Sequence, residues 1–265
     1  NARYIYLFDL MGANSYIWKI RHIRLHHNYP NIMGWDSDLE QSPMVRIFPA
    51  APFLKLHRYQ HLYMPFIYPF YLFNWLLIRD FKDFFNKRKQ VWKVIDGIPA
   101  IEYFKLFLFK IIFLFYTIIL PVPALHISLW HTIAAFMIMM FSASIFSLLV
   151  LLPPHANIKS EFPLPVNDSK IGHGWLQHQL HCTNDVKGDS WFTRFFMGCF
   201  NMHIAHHLFP SVNHVYYPEI TQIIKRFAQK NNLPYRQFSL GASLHNHYLL
   251  LKNNAFRENI FEETM

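Results

Sequence analysis

Two long stretches in the middle of the chain carry almost no polar residues. They are residues 103–120 (YFKLFLFKIIFLFYTIIL) and 127–152 (ISLWHTIAAFMIMMFSASIFSLLVLL), and each is long enough to cross a bilayer as a helix. The short segment between them, PVPALH, is suited to a tight turn. The pattern therefore predicts a transmembrane helical hairpin.

A third apolar stretch, residues 62–78 (LYMPFIYPFYLFNWLLI), is interrupted by Pro65 and Pro69. Proline inside a helix removes a backbone hydrogen bond, and aromatic residues are enriched where membrane meets water. We therefore expect residues 62–78 to form an interfacial helix that does not span the membrane. In that case residues 1–61 and 153–265 lie on the same side of the membrane.

The other segments are more polar. Residues 191–208 and 216–231 show the periodicity of amphipathic helices, and the second has Pro218 in its first turn. Residues 153–190 are predicted to be rich in loops, and the C-terminal tail is mixed and polar. Together the pattern predicts an all-α membrane protein, in which a transmembrane hairpin carries a helical cap.

Charge gives this arrangement an orientation. Only 15% of the residues are charged, against roughly 25% in soluble domains, and the net charge is +9. Six basic side chains lie within residues 79–93, which places that loop in the cytoplasm and, across the hairpin, residues 153–265 as well. Because the basic residues flank apolar runs, they fit contact with anionic lipid better than binding of nucleic acid. Two cysteines, Cys182 and Cys199, are too few for a disulfide scaffold.

Histidine is the most unusual component. The chain has 17, and they cluster in HIRLHH (22–27) and HIAHH (203–207). On a helix, His22 and His26 lie one above the other, and His203 and His207 repeat the spacing with His206 beside them. A mononuclear zinc site needs three or four ligands, and the two clusters with His155 and His178 exceed that number. A dinuclear site fits the count better, and ligation almost entirely by nitrogen on a membrane scaffold favours iron used with dioxygen.

Clustered histidines also serve proton relays, pH sensors and transporters. A transporter would carry polar groups inside its spanning helices. The predicted spanning helices here are nearly free of such groups, and the histidine clusters flank them. The pattern therefore favours a metal enzyme over a transporter or sensor.

Five stretches resemble the membrane fatty acid desaturases, in particular bacterial acyl-CoA and acyl-lipid desaturases related to the front-end subgroup. They are WKIRHIRLHHNYPN (18–31), HRYQHLYMPFIY (57–68), the hairpin ending at His155, GWLQHQLHCTND (174–185) and NMHIAHHLFPSVNHVYYPEI (201–220). The resemblance extends over nearly the whole chain, which we treat as a single desaturase domain, 1–265. One departure is His203, where front-end members often have glutamine.

The resemblance implies two non-haem iron ions on the cytoplasmic side, with dioxygen as co-substrate and a cis double bond as product. The implied metal ligands are His22, His26, His27, His155, His178, His203, His206 and His207. The family's first box, of His-x-x-x-His type, is then expected upstream of Asn1. On this interpretation the sequence is truncated at its N-terminus, and residues 1–265 alone are expected to be inactive.

The implied partners are a fatty acyl-CoA or acyl-lipid substrate, membrane lipid and a separate electron donor. No His-Pro-Gly-Gly haem signature is present, so the donor would be a ferredoxin or a cytochrome b-type protein. The implied location is an inner bacterial membrane. A related diiron hydroxylase or acetylenase shares the same boxes and remains the alternative enzyme.

Other polar residues receive lesser roles. His57 and His61 have ligand-like spacing but are expected near the membrane interface, as are His126 and His131. His181, His214, Asp36, Asp38, Glu40, Asn184 and Asp185 are candidates for orienting the ligand imidazoles, with a solvated loop as the alternative for the acidic ones. His173, His245 and His247 are expected to be solvated.

Overall fold

The computed structural model of the protein describes residues 5–40, 42–164, 171–188 and 190–256, and these are mostly helical, which confirms the predicted helical content. The α-helices in chain order are α1 (Ile5–Leu10), α2 (Ser15–Lys19), α3 (Gln60–Ile67), α4 (Tyr71–Asn74), α5 (Asp80–Phe85), α6 (Ala100–Leu114), α7 (Pro121–Leu125), α8 (Leu129–Leu151), α9 (Trp175–Cys182), α10 (Trp191–Phe195), α11 (His203–Leu208), α12 (Tyr217–Lys230) and α13 (Leu240–Asn253).

Irregular helical segments connect several of these. The π-helical segments are Ile20–His26, Trp75–Arg79 and Phe115–Ile119, and the 3₁₀ segments are Lys55–Tyr59, Tyr68–Phe70, Gln90–Lys93 and His214–Tyr216. The strands β1 (Asp185–Val186) and β2 (Gln237–Phe238) form a short parallel pair, with Asp185 opposite Gln237. The hydrophobic pattern predicts no strand, because two residues are too few to show an alternation.

The chain forms two compact units. The first contains the described residues of Asn1–Leu25 together with Phe66–Ser147, and the second contains those of His26–Pro65 together with Leu148–Met265. Each unit therefore combines segments that are far apart in sequence.

The first unit contains most of the apolar helical sequence. Helix α6, a π-helical segment and α7 run as one helical stretch over Ala100–Leu125, and α8 follows at Leu129–Leu151. Both are long and apolar enough to cross a membrane, and few of their residues are buried within the protein. His126, with φ 53°, ends α7 in the left-handed conformation and so separates the two stretches. Their positions agree with the predicted hydrophobic segments 103–120 and 127–152.

Residues 62–78 are helical but not as one regular helix. The backbone passes from α3 through the 3₁₀ turn Tyr68–Phe70 and α4 into the π-helical segment Trp75–Arg79. Pro65 lies inside α3 and Pro69 lies in the 3₁₀ turn. The two prolines that argue against a regular spanning helix thus accompany the change of helix type.

A buried ionic cluster lies inside the first unit. The Arg21 guanidinium is 2.6 Å from an oxygen of Asp83 and 3.3 Å from an oxygen of Asp80. The Lys110 ammonium donates to the other Asp80 oxygen at 3.0 Å and to the carbonyl oxygen of Gly12 at 2.8 Å. Two positive and two negative side chains therefore balance each other away from water. We refer to Arg21, Asp80, Asp83 and Lys110 as the ionic cluster.

Gly12 fits this region because of its conformation and its size. Its φ is +81°, and a Cβ atom there would lie 2.7 Å from Leu76 Cδ1 and 3.0 Å from Phe113 Cδ1. Leu76 and Phe113 belong to the apolar core of the first unit with Phe136 and Met140. Glycine is therefore required for the chain to turn between α1 and α2 against this core.

In the second unit the structure corrects two predictions and adds a helix that the sequence does not predict. The single helix predicted over 191–208 is two helices, α10 and α11, because Gly198 and Cys199 both adopt positive φ angles and break the helical path. The C-terminal tail contains α13, which the mixed polar sequence does not reveal. His247 on α13 is buried, not solvated, and its Nδ1 lies 2.7 Å from the carbonyl oxygen of Ala156.

Other features of the second unit agree with the sequence. Helix α12 has Pro218 in its first turn and buries Thr221, Ile224 and Ala228 on one face, as expected for a surface helix. Cys182 and Cys199 are both buried and form no disulfide. The stretch 153–190, predicted to be rich in loops, also contains α9, which carries His178, and residues 165–170 and 189 of this stretch lie outside the described residues.

Candidate metal centre

The predicted ligands in the second unit come from four separated parts of the chain. His26 ends the π-helical segment Ile20–His26 and His27 follows it, while His155 comes four residues after the end of α8. The others lie on α9 and on α11. Seven of the predicted ligands belong to this unit and all are buried: His26, His27, His155, His178, His203, His206 and His207.

Four of them face one another. His26, His155, His203 and His207 each offer one ring nitrogen, and these four nitrogens lie within 4.8 Å of one another. The Nε2 atoms of His155 and His203 are 2.8 Å apart. We call these four residues the four-histidine group. Spacing along a helix predicts which histidines of one sequence cluster lie next to each other. His155 belongs to neither sequence cluster, and the fold brings it to the four-histidine group.

A second contact joins the two histidine clusters. The Nε2 atoms of His27 and His206 are 3.2 Å apart, with their rings nearly perpendicular. The His27 ring also stacks on His207, with centroids 4.4 Å apart and planes 12° apart. The His27–His206 pair therefore lies against the four-histidine group, so that ring nitrogens are gathered around two neighbouring positions.

Oxygen atoms hold the outer ring nitrogens of two members of the group. Nδ1 of His26 lies 2.9 Å from a carboxylate oxygen of Asp36, and Nδ1 of His203 lies 3.2 Å from the carbonyl oxygen of Phe200. Both oxygens can only accept, so each Nδ1 donates and, in a neutral ring, leaves Nε2 as the acceptor. The orienting role predicted for Asp36 is thus supported by a direct contact with His26.

Two histidines of α11 also have an oxygen atom beside Nδ1. Nδ1 of His207 lies 2.9 Å from Oε1 of Gln179, and Nδ1 of His206 lies 3.2 Å from the hydroxyl oxygen of Tyr217. Burial raises the pKa of Tyr217 to about 12, so its hydroxyl keeps its hydrogen near neutral pH. The sequence assigns no role to either partner, because each is brought to its histidine by tertiary folding.

The pocket favours neutral imidazoles. Burial lowers the pKa of His155 well below its usual value, and the neighbouring His26 lowers it further. Burial likewise lowers the pKa of His207, followed by the effect of His27. Both rings are therefore neutral near pH 7 and keep a lone pair available to a cation.

Two predicted ligands have further contacts inside their own units. His178 lies on α9 with its Nδ1 3.6 Å from Sγ of Cys182, and burial lowers its pKa to about 4. Among the described residues, it belongs to no group whose ligand atoms lie within 4.8 Å of one another. His22 belongs to the first unit, where its ring stacks on Trp18 with centroids 5.1 Å apart. The ligand roles of His22 and His178, like those of the other six histidines, stay predictions.

The acidic and amide candidates other than Asp36 contact backbone or neighbouring polar groups. Asp185 is fully buried, and it accepts from the backbone N–H of Ile204 at 2.9 Å and from the hydroxyl of Tyr235. Burial raises its pKa to about 6. Asn184 donates to the carbonyl oxygen of Pro154 and to Ser160. Asp185 thus helps to position the start of α11 through the backbone, not through an imidazole.

The remaining histidines have other surroundings. His57 is buried, with its Nε2 2.8 Å from the carbonyl oxygen of Pro43 and its Nδ1 accepting from Leu54. His181 lies beside Glu161, with Nδ1 and Oε1 2.5 Å apart, and its ring stacks on His173. His214 is exposed. His57 thus fulfils a structural role with both of its ring nitrogens.

These residues fit a bound transition metal. The Nε2 atom of His207 is buried and has no hydrogen-bond partner among the described residues, although its ring is oriented through Nδ1. Such an atom is costly to bury unless it has a ligand. Neutral imidazole nitrogen is a preferred donor for zinc, copper, iron and nickel, and outer oxygen contacts of this kind orient metal-bound histidines. The fold and the site together define a helical protein with a buried histidine cluster that could bind metal and two apolar helices of membrane-spanning length.

Comparison with known proteins gives this class a family. The family model described as "Fatty acid desaturase" matches residues 3–239. The sn-1 linoleoyl-lipid 6-desaturase of Arthrospira platensis is 30% identical over 246 residues, which cover 92% of this chain and 66% of that protein. The Acyl-lipid (8-3)-desaturase of Physcomitrium patens is 28% identical over 256 residues, covering 94% and 52%. A sn-1 linoleoyl-lipid 6-desaturase of Synechocystis is 29% identical over 232 residues, covering 87% and 64%.

The chain belongs to the fatty acid desaturase family. It spans between about half and two thirds of the length of these three relatives. No solved structure matches it. The resemblance drawn from the histidine boxes is thereby confirmed.

Proposed function

We propose that the chain is part of a membrane-bound desaturase that introduces a cis double bond into an acyl chain with the use of dioxygen. The observation that carries this proposal is the four-histidine group with the His27–His206 pair beside it, buried in a chain of the fatty acid desaturase family. Two neighbouring sets of nitrogen donors suit a centre of two metal ions better than a single one.

The proposed ligands are the eight histidines of the sequence analysis: His22, His26, His27, His155, His178, His203, His206 and His207. The geometry supports the six members of the four-histidine group and the His27–His206 pair most directly. A pair of non-haem iron ions held there would supply the oxidation of an unactivated C–H bond, which no amino-acid side chain can perform. Overall, two hydrogens leave adjacent carbons, and dioxygen with two electrons and two protons becomes two molecules of water.

The chain's own residues provide a dry and oriented setting for this chemistry. Apolar side chains of Leu180, Ile204 and Leu208 form part of a buried core around α9 and α11. Exclusion of water strengthens electrostatic interactions in the site and limits side reactions. Asp36 and Tyr217 hold outer ring nitrogens of His26 and His206. The imidazoles are therefore fixed in orientation before any metal binds.

We place this site at a membrane surface. Ala100–Leu125 and Leu129–Leu151 are proposed to cross the bilayer as a hairpin, and residues 62–78 to lie in the interface. The basic loop 79–93 and residues 153–265 then face the cytoplasm. A phosphatase reporter fused after residue 126 is expected to be active outside the cytoplasm, whereas a fusion after residue 88 is expected to be inactive. The opposite result would contradict the orientation.

The substrate we propose is an acyl chain attached to a lipid. The relatives from Arthrospira platensis and Physcomitrium patens are named for acyl-lipid substrates, which favours this carrier over acyl-CoA. Electrons are proposed to come from a separate ferredoxin or cytochrome b-type protein. An inner bacterial membrane is the proposed location.

The direct test is product analysis. The full-length natural protein, expressed in a host supplied with defined fatty acids, is expected to yield a new double bond detectable by mass spectrometry of the fatty acid esters. Replacement of His206 by Ala is expected to abolish the product, whereas His245→Ala, at an exposed histidine, leaves it unchanged. A hydroxylated product would replace the desaturase proposal with the related hydroxylase, and no modified product on any chain would refute both.

A further inference from the structure

Gln179 connects the two histidine clusters from a position on α9. It is fully buried. Its side-chain nitrogen donates to the backbone carbonyl oxygen of His27 at 3.0 Å, and its Oε1 lies 2.9 Å from Nδ1 of His207. A single side chain thus contacts the backbone of the first cluster and an imidazole of the second.

These two contacts determine which way the amide points. The carbonyl oxygen of His27 can only accept a hydrogen bond, so the NH₂ group of Gln179 must face it. The amide oxygen then faces His207, and an oxygen can only accept there as well. Nδ1 of His207 must therefore carry the ring hydrogen, and in the neutral ring Nε2 keeps its lone pair.

The lone pair on Nε2 of His207 is available to bind a metal ion. Nε2 of His207 has no hydrogen-bond partner among the described residues, and His207 is a member of the four-histidine group. In the same group, the carboxylate of Asp36 holds His26. An amide holds His207 without adding a negative charge, so the two imidazoles differ in the charge behind them.

We propose that Gln179 is a positioning residue for the metal centre. It fixes the tautomer and the ring orientation of His207 and ties that ring to the backbone at His27, so that Nε2 faces the metal. This inference rests on the proposed function, because it requires that metal binds at the four-histidine group. It assigns to Gln179 no contact with substrate or with the metal itself.

The test compares metal binding by three variants of the full-length protein. Gln179→Met has a similar volume and loses both hydrogen bonds. Gln179→Glu keeps an oxygen facing His207 in either protonation state, and when protonated its O–H can also donate to the carbonyl of His27. Gln60→Met is the matched control, because Gln60 is another fully buried glutamine in the same unit. Its amide contacts the backbone of Arg46 and Leu251, not a histidine.

The readouts are the affinity for Co²⁺, the visible absorption spectrum of the Co²⁺-loaded protein, and the thermal unfolding midpoint. Gln179→Met is expected to weaken Co²⁺ binding about 10- to 100-fold and to change the spectrum. Gln179→Glu is expected to restore most of the affinity. Gln60→Met is expected to lower the unfolding midpoint, but its Co²⁺ spectrum is expected to be the same as that of the wild type.

Two results would overturn the inference in distinguishable ways. If the wild type binds Co²⁺ and Gln179→Met binds it equally well with the same spectrum, the residue is only structural, and the metal centre stands. If the wild type itself binds no Co²⁺, the proposed metal centre fails and the role of Gln179 fails with it.

Discussion

The ionic cluster of the first unit and the four-histidine group of the second are both made of buried polar side chains. They differ in whether each group faces a partner of opposite charge. In the ionic cluster, Arg21 and Lys110 face Asp80 and Asp83, so the charges are compensated. In the four-histidine group, ring nitrogens face other ring nitrogens, and the described carboxylate of Asp36 lies behind His26.

This difference separates a structural cluster from a binding site. A buried cluster with compensated charges is complete without a ligand, and removal of one partner leaves an uncompensated charge. A buried set of neutral bases with lone pairs facing inward is completed by a cation. The two clusters should therefore respond to substitution in different ways.

The largest expected effect is on metal content. Replacement of His207 by Ala removes a donor from the four-histidine group, and we expect bound metal to fall from the proposed two ions per chain to one or none. The unfolding free energy of the metal-free protein should change much less, because no charge loses its partner. Elemental analysis of the purified full-length protein measures the first quantity, and a full metal complement in the variant would contradict the assignment of His207.

The ionic cluster should show the reverse. Asp80 accepts from Arg21, Lys110 and the indole nitrogen of Trp75. Replacement of Asp80 by Ala is expected to lower the unfolding free energy by about 3–5 kcal/mol, since two buried cations lose a partner. Denaturant unfolding in detergent measures this loss. Asp96→Ala, at an exposed aspartate of the same unit, is the control, and equal stability of the two variants would contradict the role of the cluster.

Acidification should destabilise the metal-free histidine group. The pKa values of His155 and His207 are lowered in the folded state, so below about pH 6.5 the unfolded chain binds more protons than the folded chain. The stabilisation is therefore complete above that pH and is lost as the pH falls, by up to about 1.4 kcal/mol per pH unit for each ring. Asp185, with a pKa raised to about 6, opposes this trend between about pH 6 and 4.

Urea unfolding between pH 7.5 and 5.0 checks this expectation. A variant with His207→Leu should show a shallower loss of stability, because one of the buried rings with a lowered pKa is absent. If the wild type and the variant lost the same unfolding free energy on acidification, the buried ring of His207 would not be a cause of the pH dependence.

The smallest effect is expected at a half-exposed ion pair. Glu161 lies 2.5 Å from Nδ1 of His181 and 3.4 Å from a guanidinium nitrogen of Arg236. Water screens this site, so Glu161→Gln should cost less than about 1 kcal/mol and should leave Co²⁺ affinity unchanged. Calorimetric titration with Co²⁺ checks the second point, and a weaker affinity would show that Glu161 influences the metal centre.

The sequence predicts what depends on local spacing. The hydrophobic runs locate the two apolar helices, Pro218 marks the start of α12, and HIAHH brings His203 and His207 onto one helix. These features require only neighbours within a few turns. The family resemblance adds His155, which spacing alone cannot join to a cluster about fifty residues away.

Features that depend on tertiary contacts or on backbone detail are not predicted. Lys110 interrupts an apolar run, and only the fold supplies Asp80 as its partner. Gln179 has no signal beyond its place after His178, because its partners lie on other elements. The break between α10 and α11 depends on the left-handed backbone at Gly198 and Cys199, and hydrophobic periodicity does not report φ angles.

The two buried cysteines have a practical consequence for labelling. Burial raises the pKa of the Cys182 thiol, and Cys199 is also shielded from solvent. Both thiols should react slowly with water-soluble maleimides, since these require an accessible thiolate. Single cysteines introduced at exposed positions, such as Asp96 or Leu125, should therefore be modified selectively without removal of the native pair. The unaltered chain is thus a suitable background for attaching spin labels or fluorophores.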